Sequence, residues 1–379
     1  MEVIVGRDNR ASSEELRQGI AGGLLAAGCT VYDLGVVVTP IVYFARLHYG
    51  IQGAVMVTGS HNPPDENGFK LAAEGAGTIY GEEIQRLKEI CARGSFAEGR
   101  GEMKTLDVVP AYLDMLAEKI RLGQRRLHVV VDCGSGTAGY FAPEILRRWG
   151  CRVEELYCDP DPAFPHHHPD PVKTANLADL RKKVLSAGAD LGVAYDGDAD
   201  RLGVVDDRGN VVWGDKLMIL FWREILPRYP GAPALIEVKC SQSLVEEVAR
   251  FGGKPVFSRT GHSLIKAKMQ ELRAPFTGEM SGHMFFADEY YGYDDALYAT
   301  GRLLRILSHT GEPLSALLAG VLQYYSTAET RVPCPDEVKF EVVRELVEEF
   351  RRRFEVIDVD GARVLFEDGW GLVRASNTQ

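Results

Sequence analysis

Apolar residues gather along this chain in runs of strand length that alternate with segments of helical period, and the alternation recurs three times. The first round predicts a strand over 3–5, the polar loop Gly6-Arg7-Asp8-Asn9-Arg10, and a helix over 16–27 entered through capping-box spacing at Ser12-Ser13-Glu14-Glu15. A strand over 30–34, a helix over 41–48 and a strand over 53–57 complete it. The second round predicts strands over 127–131, 153–157 and 191–195 with a helix over 143–149. The third predicts strands over 234–238 and 254–257, helices over 243–251 and 263–272, and then a loop over 275–283. Strand-helix-strand units of this kind imply helix-covered, parallel sheets. Each round finishes in a polar loop, so three α/β domains facing a shared cleft are expected. After about residue 325 the pattern changes to an amphipathic helix over 341–354 and a strand over 364–366, a smaller closing domain.

Composition narrows the class. At 379 residues, 45% hydrophobic and 26% charged, the chain is globular and too long for one ordinary core. Its longest apolar runs are of strand length and no basic-apolar leader opens it, which argues against a membrane span or a secretory signal. The formal charge of −11 disfavours a broad electrostatic grip on nucleic acid and leaves room for a local basic pocket that gathers a small anion. Seven cysteines without a Cys-x-x-Cys pair read as buried thiols in a reducing cytoplasm.

The loops carry the chemistry. Val55-Met56-Val57-Thr58-Gly59-Ser60-His61-Asn62-Pro63-Pro64 delivers one hydroxyl and one imidazole from a buried strand into a proline-stiffened turn. Ser60 stands where open α/β sheets bind ligands and suits a group-transfer nucleophile, or it caps the turn with His61 packed beneath. Asp196, Asp198 and Asp200, two apart in a glycine-containing loop, could converge on a hard cation such as magnesium, the bland reading being a solvated acidic turn. A calcium helix-loop-helix fits less well, because Arg201 and Asp207 stand where glycine and glutamate are needed. Arg201 instead supplies a phosphate fork beside the metal.

Gly134-Ser135-Gly136-Thr137-Ala138-Gly139, with Asp159 some twenty residues on, has dinucleotide-fingerprint spacing. Taken alone it would suggest a dehydrogenase, but a dinucleotide would leave Ser60, the three aspartates and the Glu279 loop unused, so the glycines read as a tight strand-to-helix turn. His166-His167-His168 between prolines reads as a structural loop. Glu279 and Ser281, in a glycine-flanked loop with no other carboxylate in it, suit vicinal sugar hydroxyls. Arg374, Ser376, Asn377 and Thr378 form a donor-rich loop suited to a phosphate.

Taken together, these loops resemble those of the α-D-phosphohexomutase family, in its phosphomannomutase/phosphoglucomutase branch, over nearly the whole chain. The resemblance implies three similar mixed α/β domains around a central cleft plus a smaller α+β C-terminal domain, divided at 1–105, 106–208, 209–323 and 324–379. It makes Ser60 a phosphoserine, places magnesium on Asp196, Asp198 and Asp200 together with that phosphate, gives Glu279 and Ser281 to the sugar, and gives Arg374, Ser376, Asn377 and Thr378 to the non-reacting phosphate. The family pattern also has an earlier Tyr-Asp-Ile-Arg-Gly segment and a longer C-terminus, so the chain is expected to be truncated at both ends relative to it.

The implied reaction interconverts hexose 1-phosphate and hexose 6-phosphate, of mannose, glucose or both, through glucose or mannose 1,6-bisphosphate. His61, Lys70 and His262 join Ser60 as candidate catalytic groups, and Lys239, Arg259 and His283 are further cleft candidates. The expected partner is a hexose phosphate, with no nucleic acid and no membrane, acting on a monomer or homodimer. Two alternatives stay open: an aspartyl-phosphate phosphatase with Asp196 as nucleophile, and a sugar-phosphate-binding protein without turnover.

Overall fold

The strands form four separate sheets, and the first three repeat one topology. The computed structural model describes residues 1–73, 78–327 and 329–376. In the first sheet, β1 (Glu2–Arg7) lies between β2 (Thr30–Val36) and β3 (Gly53–Val57), both parallel to it, while β4 (Phe69–Ala72) adds antiparallel to β3 and β5 (Glu102–Thr105) parallel to β2. In the second, β6 (His128–Asp132) lies between parallel β7 (Arg152–Leu156) and β8 (Leu191–Tyr195). Antiparallel β9 (Leu202–Asp206) and β10 (Val211–Val212) follow on the far side of β8. The third has β11 (Pro233–Glu237) between parallel β12 (Lys254–Ser258) and β13 (Phe276–Gly278), with antiparallel β14 (Met284–Phe286) beyond.

This repeated order has a direct consequence for the loops. In each sheet the polar loop leaves the C-terminal end of the third strand and returns as an antiparallel strand. Val57 pairs with Phe69, Tyr195 with Leu202, and Gly278 with Met284, so register closes each loop as a hairpin. The sheets are therefore mixed, each with a parallel centre. The 275–283 stretch, expected to be loop throughout, contains β13; three residues that follow a proline and end in a glycine are too few for a pattern to declare itself.

Buried apolar residues of all three units form one continuous core, in which Ile4, Phe44, Tyr112, Val129, Tyr195, Phe221, Phe276 and Leu303 take part, and smaller clusters fill the far faces of the sheets. All five residues of β8 are buried, as a strand covered on both faces requires. The capping box did not form. The helix Ser13–Ala26 starts from Ser12 without a side-chain cap bond, because Ser13 donates to Asp8 and both serine hydroxyls accept from Asn67. The cysteine reading holds for five thiols and fails for Cys91 and Cys334, which are exposed. Among the described residues no helix is long and apolar enough to cross a membrane.

The fourth sheet, β15 (Glu355–Ile357), β16 (Ala362–Phe366) and β17 (Gly369–Val373), is antiparallel and packs under the helix Lys339–Arg351. Arg363 fastens it to the third unit. Its buried guanidinium donates to the carbonyls of Val238 (2.6 Å) and Cys240 (2.9 Å) and lies 3.8 Å from the centre of the Trp370 ring. Arg363→Leu strands two buried carbonyls, so it should lower unfolding stability by about 2 to 4 kcal/mol, read as a lower urea midpoint by tryptophan fluorescence.

Candidate active site

The three hairpin loops meet. Ser60 adopts a left-handed backbone conformation (φ 47°), rare for a residue with a side chain, and its hydroxyl donates to Asp196 Oδ2 at 2.7 Å. Gly197 makes the approach feasible: a Cβ there would lie 2.3 Å from the Ser60 carbonyl oxygen. The serine of the first unit thus lies against the aspartate loop of the second.

Asp196, Asp198 and Asp200 are fully buried and each offers an oxygen within 4.8 Å of the others. Asp196 Oδ1 accepts from the backbone N–H groups of Asp200 and Arg201. Among the described residues Asp198 Oδ1 has no hydrogen-bond partner, and Asp200 Oδ1 faces only the His283 ring, 3.3 Å away. An anionic, all-oxygen donor set that includes an orphaned buried acceptor fits a hard divalent cation such as magnesium. Lys70, on β4, reaches into the same cluster and pairs with Asp198 Oδ2 at 2.7 Å and with Asp200. Burial and the two neighbouring carboxylates push the Asp196 carboxyl well above the usual range. Burial works against the Asp200 charge too, but Lys70 and then His283 hold its carboxyl well below that range. The Lys70 ammonium, though desolvated, is held well above the usual lysine value by Asp198 and Asp200.

The third unit adds a charged bridge. His283 Nδ1 lies 2.9 Å from Glu279 Oε2, and its Nε2 lies 3.3 Å from Asp200 Oδ1. Burial opposes the charge of both partners. Asp200 and Glu279 nonetheless raise the imidazole to about 10, and His283 lowers the Glu279 carboxyl to about 2. Glu279 Oε1 accepts from the Gly261 N–H, and the Ser281 hydroxyl lies 2.9 Å from His283 Nδ1. Glu279 does have a carboxylate neighbour: Glu237, at the end of β11, accepts from the Met280 N–H and the Thr260 hydroxyl. Its pairing was invisible because 42 residues separate the two glutamates in the chain.

His262 stacks on His283 with ring centres 5.6 Å apart, and its Nδ1 lies 3.6 Å from the buried carboxylate of Asp294. Asp294 in turn faces Lys266, which donates to Thr78 and lies over the Tyr43 ring. His61 Nδ1 lies 3.9 Å from Asp170, and burial together with Arg201 lowers the imidazole to about 4.

Other candidates stand further out. Lys239 Nζ is 3.5 Å from Glu237 Oε1, and Arg259 lies 3.9 Å from Asp360. Arg374 Nε donates to Asp360, whose same oxygen accepts from the Thr260 N–H. Ser376 is half-buried, while Asn377 and Thr378 lie outside the described residues. The glycine-rich turn at Gly134 opens a single 3-10 turn, Thr137–Tyr140, and its Ser135 carbonyl and Thr137 hydroxyl bind Asn9 of the first unit. That is the tight-turn reading: the α-helix Ala142–Arg148 starts only after the 3-10 turn, away from the glycines. The three histidines are structural as expected: His166 stacks on Tyr157, His167 pairs with Asp132, and His168 donates to the His61 carbonyl.

Matches to known proteins follow the same division. Family models for phosphoglucomutase/phosphomannomutase alpha/beta/alpha domains I, II and III match residues 1–98, 110–209 and 213–325, and the model for the C-terminal domain matches 329–379. The chain belongs to the phosphoglucomutase/phosphomannomutase family. A phosphomannomutase/phosphoglucomutase of Pseudomonas aeruginosa is 42% identical over 99% of this chain and 81% of its own length. A phosphoglucomutase of Neisseria gonorrhoeae is 42% identical over 99% and 82%. The crystal structure of a family protein from Burkholderia thailandensis superposes with a TM-score of 0.91 at 42% identity, covering all of this chain and 83% of that one. A structure from Thermus thermophilus shares the fold at 24% identity and a TM-score of 0.80, covering 99% of this chain and 84% of that one.

Within this phosphoglucomutase/phosphomannomutase site, Asp8, Arg10, Glu237, Asp294 and Asp360 were missed from sequence. The signal available for the first two was a charged tripeptide placed directly after a buried strand. Burial holds the His262 imidazole down to about 4, against an ordinary value of 6.5. Between these values the unfolded chain binds the proton that the folded chain refuses, so this group makes stability rise with pH through the window and fall as pH drops. In metal-free protein, His262→Asn should flatten the slope of unfolding stability between about pH 4 and 6.5, measured by denaturant titrations of parent and variant.

Proposed function

We propose that this chain interconverts hexose 1-phosphates and hexose 6-phosphates, with Ser60 as the phosphoryl carrier. The observation that supports this most is the Ser60 hydroxyl held 2.7 Å from Asp196 on a strained turn beside a buried carboxylate cluster. The names of the relatives, phosphomannomutase/phosphoglucomutase and phosphoglucomutase, support the hexose as mannose, glucose or both. The phosphatase alternative is less well supported. Asp196 already spends one oxygen on two backbone N–H groups and the other on Ser60, which leaves it poorly placed to attack.

In this mechanism the phosphorylated Ser60 gives its phosphoryl group to the free hydroxyl of the bound monophosphate, and the Ser60 oxygen is released. The resulting glucose or mannose 1,6-bisphosphate turns around and returns its other phosphoryl group to Ser60. Asp196, Asp198 and Asp200 would hold magnesium, which when bound neutralises charge on the phosphoryl oxygens. Lys70 and Arg201 add fixed positive charge at the same place. His262, a neutral imidazole, and His61 are placed to accept a proton, and the charged His283 to donate one.

Glu279 and Ser281 are assigned to sugar hydroxyls, and Lys239, Arg374, Ser376, Asn377 and Thr378 to the non-reacting phosphate. The four sheets support four domains at 1–105, 106–208, 209–323 and 324–379. Unpaired thiols support a cytoplasmic setting, with the enzyme acting as a monomer or homodimer.

Ser60→Ala tests the assignment. The parent should gain one phosphoryl group by intact mass when treated with hexose 1,6-bisphosphate, and the variant none, with turnover lowered roughly 10³-fold or more. A variant that still gains the group would overturn Ser60 as carrier. Glu279→Gln should weaken hexose phosphate binding by about 1 to 3 kcal/mol for one lost charge-assisted hydrogen bond, with inorganic phosphate affinity unchanged in the same calorimetric titrations.

A further inference from the structure

The turn that presents Ser60 contains two prolines and few backbone hydrogen bonds, so its carbonyls must find donors elsewhere. Arg10 supplies them. Its side chain is fully buried beneath the turn, where Nη2 donates to the carbonyls of Ser60 (2.6 Å) and Asn62 (2.7 Å) and Nη1 to those of Pro63 (2.5 Å) and Glu66 (3.0 Å). Between residues 60 and 63 the one carbonyl that Arg10 does not take, that of His61, accepts from His168 of the second unit. Every carbonyl from residue 60 to 63 is thus held by a side chain. Asp8 completes the brace: it accepts from the Gly59 N–H and pairs with Arg10 Nε at 3.2 Å. From the second unit, the Phe164 ring covers the guanidinium at 5.3 Å. No slack remains, since a Cβ on Gly59 would lie 2.8 Å from Arg10 Cζ.

A left-handed serine persists only where its surroundings over-determine it. A planar guanidinium with five donors in a fixed fork can do that for several carbonyls at once, and an ammonium, a point charge on a flexible stem, cannot. Arg10 contacts the loop backbone and makes no hydrogen bond to the Ser60 hydroxyl. We propose that Arg10 is a positioning residue for phosphoryl transfer and that, with His168, it fixes the Ser60 turn so that the hydroxyl meets Asp196. The inference rests on the reading of Ser60 as the carrier. It also gives the histidine run a use: one imidazole of the second unit clamps the nucleophile turn of the first.

The test compares the parent with Arg10→Lys, Arg10→Ala and His168→Leu, all with magnesium, for kcat and KM on hexose 1-phosphate. A misplacement of about an ångström costs roughly 10²-fold in rate, so kcat should fall by that order in both Arg10 variants. KM should stay within about twofold of the parent, because the substrate's own contacts are intact. Guanidinium ion at millimolar concentration should recover part of the Arg10→Ala loss and none of the His168→Leu loss. Should the Arg10 variants fail to fold, His168→Leu decides on the same split, with a smaller fall in kcat at constant KM expected and His168→Gln, which keeps a donor, restoring it. Folded variants with parental kcat, or with losses in KM alone, overturn the inference while leaving the mutase reading standing. A parent without turnover overturns that reading, and this one with it.

Discussion

Six buried or nearly buried carboxylates, those of Asp196, Asp198, Asp200, Asp294, Glu237 and Glu279, share one seam of this molecule, and their mutual repulsion is the constraint that the site answers. Two like charges 4 Å apart repel by about 4 kcal/mol at an effective dielectric constant of 20. The compensating cations come from different sheets: Lys70 from the first unit, Arg201 from the second, and Lys266 and the imidazolium of His283 from the third. The second unit is the least balanced, since it brings three of the carboxylates, Asp196, Asp198 and Asp200, and of these cations only Arg201. Assembly of the three is therefore also the event that makes the aspartate loop tolerable, because Lys70 and His283 reach it from the other two units.

The parts of this arrangement that could be read from sequence were those encoded locally. Strand-length apolar runs ending in polar loops disclosed three α/β units, and the loops themselves displayed Ser60, the aspartate triplet and Glu279. Parallel centres were legible for the same reason. The return strands β4 and β14, like parallel β13, were not, because they are three or four residues long and lie beside residues chosen for chemistry, which blurs any period. Asp294 and Asp360 escaped because a buried carboxylate owes its place to partners far along the chain. Lys266 is 188 residues from Thr78, yet the two are hydrogen-bonded. The capping box failed for a related reason: distant Asn67 and nearby Asp8 outbid the helix for the two serine hydroxyls.

Polar side chains also join the units, beside backbone bonds such as that from the Leu202 N–H to the Gly282 carbonyl. Arg363 satisfies carbonyls of the third unit from within the fourth, and Asn9 joins the first loop to the glycine turn of the second. Such joints are directional where apolar contacts are not, so they set the angle at which sheets meet as well as the area they bury.

That angle matters because every functional loop is carried at the tip of its own sheet. A strand of about five residues is roughly 17 Å long, so tilting one sheet by about 5° against its neighbour displaces the loop at its end by roughly 1.5 Å. This exceeds the tolerance of a hydrogen bond. The repeated hairpin thus works as a lever, with three rigid arms, three fulcra in the shared core, and a point of contact at which small rotations are magnified into the difference between touching and apart. Reactivity in such a site is governed by the carpentry of the sheets as much as by the side chains at their tips.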